Sequence, residues 1–158
     1  MNDEVFFERV EQIRKKMFAI AFSYFKSESM AIDMVDEAVY KGFLKKRSLR
    51  QEEFFETWLI RILMNTCATH YKKESRHRSY EEFVVEHSSE LELNTQKLEL
   101  MDAVSRLPED LRKIITIKYF GGYTNQEIAS TLKIPMGTVA SRIRRALELL
   151  RTDLEEKK

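Results

Sequence analysis

The chain has 158 residues, enough for one domain or for two small ones. Hydrophobic residues make up 43% of it, and the presence of only four glycines and two prolines favours a mostly helical protein. The formal net charge of +1 does not by itself indicate a nucleic-acid binder. The charges are unevenly distributed, however. Basic blocks at residues 61–78 and 137–151 and acidic blocks at residues 28–37 and 81–92 indicate different partners for different faces.

Several classes of protein are disfavoured at once. The single cysteine, Cys67, excludes an internal disulfide and lies in an apolar helical pattern, which predicts a small buried residue. His70, His77 and His87 have no cysteine or carboxylate partners at metal-ligand spacing, so we expect no zinc and no cofactor. No catalytic constellation is recognisable, which argues against an enzyme. The sequence has neither a signal peptide nor an apolar run of membrane-spanning length, and we expect a cytoplasmic protein.

The first two predicted helices are amphipathic. Apolar residues at alternating spacings of four and three predict a helix over about residues 3–26. Its stripe consists of Phe6, Val10, Ile13, Met17, Ile20 and Tyr24. The segment Ser27-Glu28-Ser29 breaks and caps the chain, and a second helix is expected over about residues 30–46. Its inner stripe is predicted to be Ile32, Val35, Val39 and Phe43.

Three acidic residues lie on another side of the second helix, at i, i+3 and i+4: Asp33, Asp36 and Glu37. They form either a solvated face, with Glu37 and Lys41 as a surface ion pair, or a docking patch for a basic partner. Charge alone favours the solvated face.

A polar stretch at residues 45–53 predicts a loop, and a third helix follows over about residues 54–71. Its inward side chains are predicted to be Phe55, Leu59, Ile62 and Leu63. Rings that stack on bases, amides that read base edges and cations that bind phosphates suit single-stranded nucleic acid. Side chains of these kinds lie along a different strip: Trp58, Arg61, Asn65 and Lys72. Trp58 alone is better explained as a core residue, whereas an asparagine inside a helix usually has a polar role.

Residues 80–95 are acidic and lack a long apolar period, and we interpret them as a linker between domains at residues 1–79 and 96–158. A fourth helix is predicted over about residues 95–106. Pro108 ends it and begins a fifth, which ends at Gly121-Gly122. Together with the segment that follows, these helices are expected to form a compact four-helix domain.

Residues 122–151 predict a short helix, a tight turn and a second, basic helix. Thr124 and Glu127 form a capping box that begins the first of these helices. Pro135 and Gly137 break the chain and open the second. Apolar side chains are predicted to fall on one side of this second helix: Val139, Ile143, Ala146, Leu147 and Leu150.

The opposite side of the basic helix carries hydroxyl groups and arginines. They are Thr138, Ser141, Arg144 and Arg145, with Arg142 on the flank. A short helix, a turn and a second helix with such a row are typical of helix-turn-helix DNA readers. Arginine binds guanine edges or phosphates, and serine or threonine binds either. A merely solvated arginine-rich face is the alternative, but the capping box and the turn chemistry favour DNA binding.

At this point the chain resembles the extracytoplasmic-function (ECF) sigma factors of bacteria, small proteins that direct RNA polymerase to promoters. The segment Ala31-Ile-Asp-Met-Val-Asp-Glu37 is similar to the Ala-Glu-Asp-Leu-Val-Gln-Glu segment of the family's region 2. Thr57-Trp-Leu-Ile-Arg-Ile-Leu-Met-Asn65 is similar to its Trp-Leu-Tyr-Arg-Ile-Ala-x-Asn segment. Three further motifs look like region 4: Leu107-Pro-Glu, Gly122-Tyr-Thr-Asn-Gln-Glu-Ile-Ala129 and Pro135-Met-Gly-Thr-Val-Ala-Ser-Arg-Ile-Arg-Arg-Ala146. The resemblance covers nearly the whole chain.

The resemblance implies an all-α protein of two small helical domains, region 2 and region 4, that binds core RNA polymerase and promoter DNA. Asp33, Asp36 and Glu37 would hold the polymerase clamp, which reverses the choice made from charge alone. The minus-10 element would be read as separated strands by Trp58, Arg61, Asn65, Lys72 and Lys73, with residues 45–53 forming the pocket for a flipped-out base. The minus-35 element would be read as duplex by Thr138, Ser141, Arg142, Arg144 and Arg145.

Two positions depart from the family pattern. Asp36 replaces a glutamine and still suits a basic partner, whereas Ala140 replaces a residue that is often basic, so we expect an altered minus-35 preference. The resemblance also implies a free monomer that is held inactive by an anti-sigma factor, which in this family is often membrane-anchored. The alternative is a conventional helix-turn-helix regulator, which would dimerise on a palindromic duplex site without polymerase. The minus-10 strip and the acidic linker argue against it.

Overall fold

The computed structural model describes residues 1–77 and 95–156. The predicted linker lies outside these residues except for Thr95. The chain divides into two compact units, residues 1–87 and 88–158. The described residues form seven α-helices and short helical turns, with no strand among them, as the all-α prediction requires.

Residues 1–77, the described part of the first unit, form three α-helices: α1 (Asp3–Phe25), α2 (Glu28–Lys45) and α3 (Phe55–His77). Asn2 Oδ1 caps α1 by accepting a hydrogen bond from the Val5 amide at 2.8 Å. Ser27 Oγ caps α2 by accepting one from the Met30 amide at 3.2 Å, so the predicted break and cap between these helices are confirmed. Each of the three helices packs against the other two.

The stripe predicted for α1 is buried in full, from Phe6 to Tyr24. The stripe predicted for α2 is partly wrong, because Ile32 is 50% exposed. Its buried face is instead built largely from small residues that let α2 approach its neighbours closely. These are Ala31, Met34, Val35, Ala38, Val39 and Gly42. A Cβ atom on Gly42 would lie only 2.8 Å from Leu59 Cδ1, which shows how close α2 and α3 are.

The segment between α2 and α3 is not a loop throughout. It contains two short 3₁₀ turns, Lys46–Ser48 and Glu52–Phe54. The third helix also runs past the predicted end at residue 71. Because both α1 and α2 pack on α3, its buried arc is wider than predicted and takes in Ile60, Met64 and Cys67. Burial, with the Glu37 charge as a smaller cause, raises the pKa of the Cys67 thiol to about 12.

In the second unit, the described residues 95–156 form four α-helices: α4 (Thr95–Ser105), α5 (Glu109–Ile115), α6 (Asn125–Leu132) and α7 (Met136–Glu156). Its core cluster joins α4, α5 and α7 through Ala103, Val104, Leu107, Leu111, Ile115, Ala146 and Leu150. Arg106 also ties α4 to α7, since its Nε and Nη2 donate to the Asp153 carboxylate at 2.8 and 3.0 Å.

The connection from α5 to α6 is more irregular than the sequence predicts. The chain continues from α5 into one π-helical turn, Thr116–Phe120, in which the Gly121 amide donates to the Thr116 carbonyl at 3.2 Å. Gly122, at φ +75°, leads the chain out of this turn. The predicted capping box is confirmed: the Glu127 amide donates to Thr124 Oγ1 at 3.1 Å, and the Thr124 amide donates to Glu127 Oε1 at 3.0 Å.

A left-handed Lys133, at φ 56°, ends α6 and turns the chain into α7. Four of the five apolar residues predicted for the inner side of α7 are buried. They are Val139, Ile143, Ala146 and Leu150. The prediction for Leu147 is wrong, because its side chain is 43% exposed. It lies about 40° around the helix from Ile143, and so at the edge of the buried seam.

Candidate nucleic-acid interfaces

The outer face of α7 has the composition of a duplex-reading surface. Ser141, Arg144 and Arg145 are exposed, and Thr138 is half-buried beside them. Ser141 Oγ donates to the Thr138 carbonyl at 3.1 Å, so its oxygen keeps lone pairs that can accept from a donor outside the helix. The four residues lie away from the buried seam of α7, and the helix-turn-helix therefore presents this face to solvent.

Arg142 differs from the other arginines of α7. It is half-buried, and its Nε lies 3.9 Å from Asp110 Oδ2 on α5. The prediction that Arg142 lies on the flank of α7 is therefore confirmed. Its guanidinium group lies between a carboxylate of its own unit and solvent.

The strip predicted on α3 combines exposed and half-buried side chains. Asn65, Lys72 and Lys73 are exposed, whereas Trp58 and Arg61 are half-buried. The Trp58 ring lies 6.0 Å from the buried Phe55 ring at an interplanar angle of 46°, so one part of the indole packs on the core and another part meets solvent. Trp58 is thus neither a fully buried core residue nor a fully exposed ring.

The segment that leads into α3 is held by contacts with α1. Arg9 Nη1 donates to the Glu52 carbonyl at 2.6 Å, and Arg9 Nη2 lies 3.4 Å from Glu52 Oε2. At the other end of the segment, Lys46 Nζ lies 2.8 Å from Asp3 Oδ1 and 4.3 Å from the centre of the Phe43 ring. These contacts fix both ends of residues 45–53 against the helical core.

The acidic residues of α2 are not equivalent. Asp33 and Asp36 are exposed, and Arg14 Nη1 lies 3.8 Å from Asp36 Oδ1. Glu37 is half-buried: one carboxylate oxygen lies 2.7 Å from His70 Nε2 on α3 and the other lies 3.3 Å from Lys41 Nζ. The predicted Glu37–Lys41 pair is confirmed, and Glu37 also links α2 to α3.

Sequence reasoning missed the apolar part of this acidic surface. Ile32, Tyr40 and Leu44 are all at least half exposed, and they follow one another with Asp36 at intervals of four residues. The sequence did contain a signal for this surface, because Ile32, Tyr40 and Leu44 lie at multiples of four residues from Asp36 and so near it on the helix. Exposed apolar and aromatic side chains beside charges are typical of protein-interaction surfaces.

Two other kinds of site receive no support from the described residues. Among the described side chains, no group of three or more His, Cys, Asp or Glu residues is arranged to hold a metal ion, and His87 lies outside them. None of the helices in the described ranges is long and apolar enough to cross a membrane.

Comparison with known proteins assigns both units. Residues 9–77 match Sigma-70 region 2, and residues 97–150 match Sigma-70, region 4. The chain is 28% identical to the ECF RNA polymerase sigma-E factor of Haemophilus influenzae, over 98% of this chain and 96% of that protein. It is also 28% identical to the RNA polymerase sigma factor SigV of Bacillus subtilis, over 89% and 86% of the two chains.

Solved structures share the fold. The sigma factor RpoE of Bartonella quintana, in its co-crystal structure with the anti-sigma factor NepR, is 22% identical and superposes with a TM-score of 0.72 over 98% of this chain and 99% of that one.

The two sigma-70 regions together cover most of the sequence, in the order that the motifs predict. The chain therefore belongs to the sigma-70 family, and within it to the extracytoplasmic-function sigma factors. Sigma factors are regulatory subunits that direct RNA polymerase in promoter-specific initiation.

Proposed function

We propose that this sigma factor binds core RNA polymerase in the cytoplasm and recognises its promoters at two points. Its first domain, residues 1–79, reads the minus-10 element as separated strands, and its second domain, residues 96–158, reads the minus-35 element as duplex. The acidic linker at residues 80–95 joins them. The observation that carries this proposal is the exposed Asn65 at the middle of the α3 strip, in one unit, together with an exposed arginine row on α7 in the other.

The minus-10 contacts divide by chemistry. Asn65 presents an amide that pairs with base edges, and Trp58 offers part of an indole ring for stacking. Arg61, Lys72 and Lys73 bind the phosphates. For the minus-35 element, Arg144 and Arg145 bind guanine edges or phosphates, whereas Thr138 and Ser141 accept or donate beside them. Arg142 has to give up its contact with Asp110 before it binds the DNA backbone. It therefore contributes less to the affinity for DNA than Arg144 and Arg145 do.

Asp33 and Asp36 on α2 form the polymerase contact, and the exposed Ile32, Tyr40 and Leu44 extend it. A mixed acidic and apolar surface suits a partner with basic and apolar side chains. Glu37 supports this contact indirectly, because its carboxylate lies 2.7 Å from His70 Nε2 and so links α2 to α3.

An anti-sigma factor keeps the chain inactive by covering its polymerase-binding surfaces. The family membership supports this partner, and the related RpoE fold occurs in a complex with the anti-sigma factor NepR. The free chain, in the absence of such a partner, is a monomer.

The test is transcription by purified bacterial core polymerase, with and without this protein, on a pool of promoter fragments from its host. We expect start sites that appear only when the protein is present. If no such sites appear, and the protein alone footprints a symmetric duplex site, it acts as a conventional regulator and the proposal is wrong. Sedimentation of the free chain gives a second criterion, because a stable dimer would favour the regulator.

A further inference from the structure

An ion pair joins α5 to the flank of the proposed duplex-reading face of α7. Arg142 Nε lies 3.9 Å from Asp110 Oδ2. Asp110 stands in the first turn of α5, where the Pro108 carbonyl accepts from the Leu111 amide at 3.0 Å and from the Arg112 amide at 2.8 Å. Because α5 and α7 share one core cluster, their backbones are fixed against each other, and only the two charged side chains are free to move.

This ion pair is too open and too long to serve as a structural link. The side chain of Arg142 is 37% exposed and that of Asp110 is 57% exposed. By contrast, Arg106 donates two hydrogen bonds of 2.8 and 3.0 Å to the Asp153 carboxylate. An exposed pair without such geometry contributes little to stability, so another anion can replace its carboxylate at little cost. The pair therefore has the properties of a contact that is exchanged when a phosphate approaches.

The place of Arg142 on α7 determines what it can contact. At 100° per residue it lies about 60° beyond Arg145, on the side of the helix that faces α5. When a helix lies in a major groove, its middle row reaches base edges, and its flanks face the sugar-phosphate backbones. A cation on the flank therefore binds a phosphate, and phosphate contacts carry no sequence information. Without a restraint, Arg142 would strengthen binding to every duplex alike.

The restraint is a carboxylate on the path of the phosphate. Asp110 and three residues of α7 line one shallow hollow between α5 and α7; the three are Ser141, Arg142 and Arg145. A phosphate that enters this hollow to reach Arg142 approaches the Asp110 carboxylate as well. Since like charges repel, the entry is unfavourable unless other contacts already hold the phosphate in place.

We propose that Asp110 determines the specificity of the duplex contact by competing with DNA phosphates for Arg142. This inference rests on the proposed function of α7 at the minus-35 element. On a promoter, the base contacts of Arg144 and Arg145 hold α7 in one register. A phosphate then lies beside Arg142 at a fixed position and displaces the carboxylate. On other sequences no register is fixed, and Asp110 keeps Arg142. Asp110 therefore lowers the affinity for non-promoter duplex more than the affinity for the promoter.

The test compares two short duplexes bound by the polymerase holoenzyme. One carries the minus-35 element of a promoter that the protein serves, and the other has the same length and an unrelated sequence. Asp110→Asn should raise the affinity for the unrelated duplex about 2- to 5-fold, the size of effect that an exposed ion pair has. It should raise the affinity for the minus-35 duplex less, so the ratio of the two affinities should fall.

Salt titrations of the same complexes give a second readout. For the unrelated duplex, the slope of log affinity against log salt should steepen by about one unit in Asp110→Asn, as expected for one additional phosphate contact. For the minus-35 duplex the slope should stay as in the wild type, because there Arg142 already binds its phosphate.

Two controls separate competition for Arg142 from a general change of charge. Glu109→Gln removes the same charge from the residue before Asp110, but Glu109 pairs at 3.7 Å with Lys113 on its own helix. This variant should leave the ratio of the two affinities as in the wild type. In an Arg142→Ala background, Asp110→Asn should have no effect on either duplex, because the group for which the carboxylate competes is gone.

The outcomes separate this inference from the proposed function. If the wild type initiates transcription but Asp110→Asn binds both duplexes as the wild type does, or gains equally on both, the inference is overturned and the sigma function stands. An effect that persists without Arg142, or that Glu109→Gln reproduces, would also overturn it, because Asp110 would then act only through its charge on the DNA. If the wild type starts no promoter, the proposed function fails. An unchanged affinity of the full-length Asp110→Asn chain for the unrelated duplex then decides separately against the competition.

Discussion

Asn65 stands exposed at mid-helix in α3, where its residue type is a poor choice for stability alone. Asparagine is less favourable than alanine in a helix by about 0.5 kcal/mol. Asn65→Ala should therefore leave the first unit as stable as wild type or slightly more so, while it weakens promoter opening. Urea denaturation and permanganate footprinting of the opened strand measure the two effects. A clear loss of stability would mean that Asn65 has a structural role.

Arg145 and Arg151 are both exposed arginines of α7, but only Arg145 lies in the proposed minus-35 row. Arg145→Ala should weaken duplex binding by about 1–3 kcal/mol with relaxed specificity if it reads a base. If it binds a phosphate instead, the loss should be uniform across sequences and the salt dependence should fall by about one unit of slope. Titrations at several salt concentrations distinguish these cases. Arg151→Ala is the matched control, and an equal effect there would show that only total charge matters.

At the scale of the helices and turns, two glycines of the second unit should respond oppositely to the same change. Gly122 has φ +75°, a region that costs a non-glycine residue about 1 kcal/mol, so Gly122→Ala should destabilise the unit by about that amount. Gly137 lies in the first turn of α7 with no atom within 4 Å of an added Cβ, so Gly137→Ala should stabilise it by up to about 1 kcal/mol. Urea denaturation measures both. Stabilisation by Gly122→Ala would contradict the backbone conformation at Gly122, and destabilisation by Gly137→Ala would contradict the open space around Gly137.

Cys67 makes the stability of the first unit depend on pH. The folded pKa of its thiol, about 12, lies above the ordinary value of 9.0, chiefly because the thiol is buried. The stability that the protonated thiol contributes to folding is present in full below pH 9. It is lost as the pH rises from 9 towards 12, because in this range only the unfolded chain releases the thiol proton. Denaturation at pH 8 and pH 10 should therefore show a steeper loss for the wild type than for Cys67→Ala. Other groups that titrate in this range affect both proteins alike, so equal slopes would argue against the shifted thiol.

Periodicity and caps predicted most elements, because they are local properties. The stripe of α1, the Ser27 cap and the Thr124–Glu127 capping box are each specified by neighbouring residues. Ile32 and Leu147 were assigned wrongly because their burial depends on which way the whole helix faces. The π-helical turn at Thr116–Phe120 has no local signature of this kind.

The candidate site was predictable to the same extent. Residue type and spacing identified Asn65 and the arginines of α7, because polar residues in a helix already imply solvent or a partner. The sequence did not reveal that Trp58 is half-buried, that Glu37 is bound to His70, or that Asp110 lies beside Arg142. Each of these depends on contacts between residues more than a helical turn apart, which a sequence pattern does not contain.

At the scale of the whole molecule, the proposed recognition at two points depends on the covalent connection between the units. Linking two weakly binding modules in one chain raises their effective concentration, in favourable cases to the millimolar range. We therefore expect fragments 1–87 and 88–158, mixed at micromolar concentration, to initiate transcription about 100-fold or more less efficiently than the intact chain.

The comparison is made by transcription on one promoter with matched concentrations of core polymerase. Each unit has its own buried core, so circular dichroism of each fragment gives the control for folding. Raising the fragment concentrations should recover activity in proportion, because the connection supplies concentration and no additional contact. Equal activity of the mixed fragments and the intact chain at micromolar concentration would mean that one unit alone provides the promoter recognition. A deficit that persists at millimolar fragment concentrations would instead give residues 78–94 a contact of their own with polymerase or DNA.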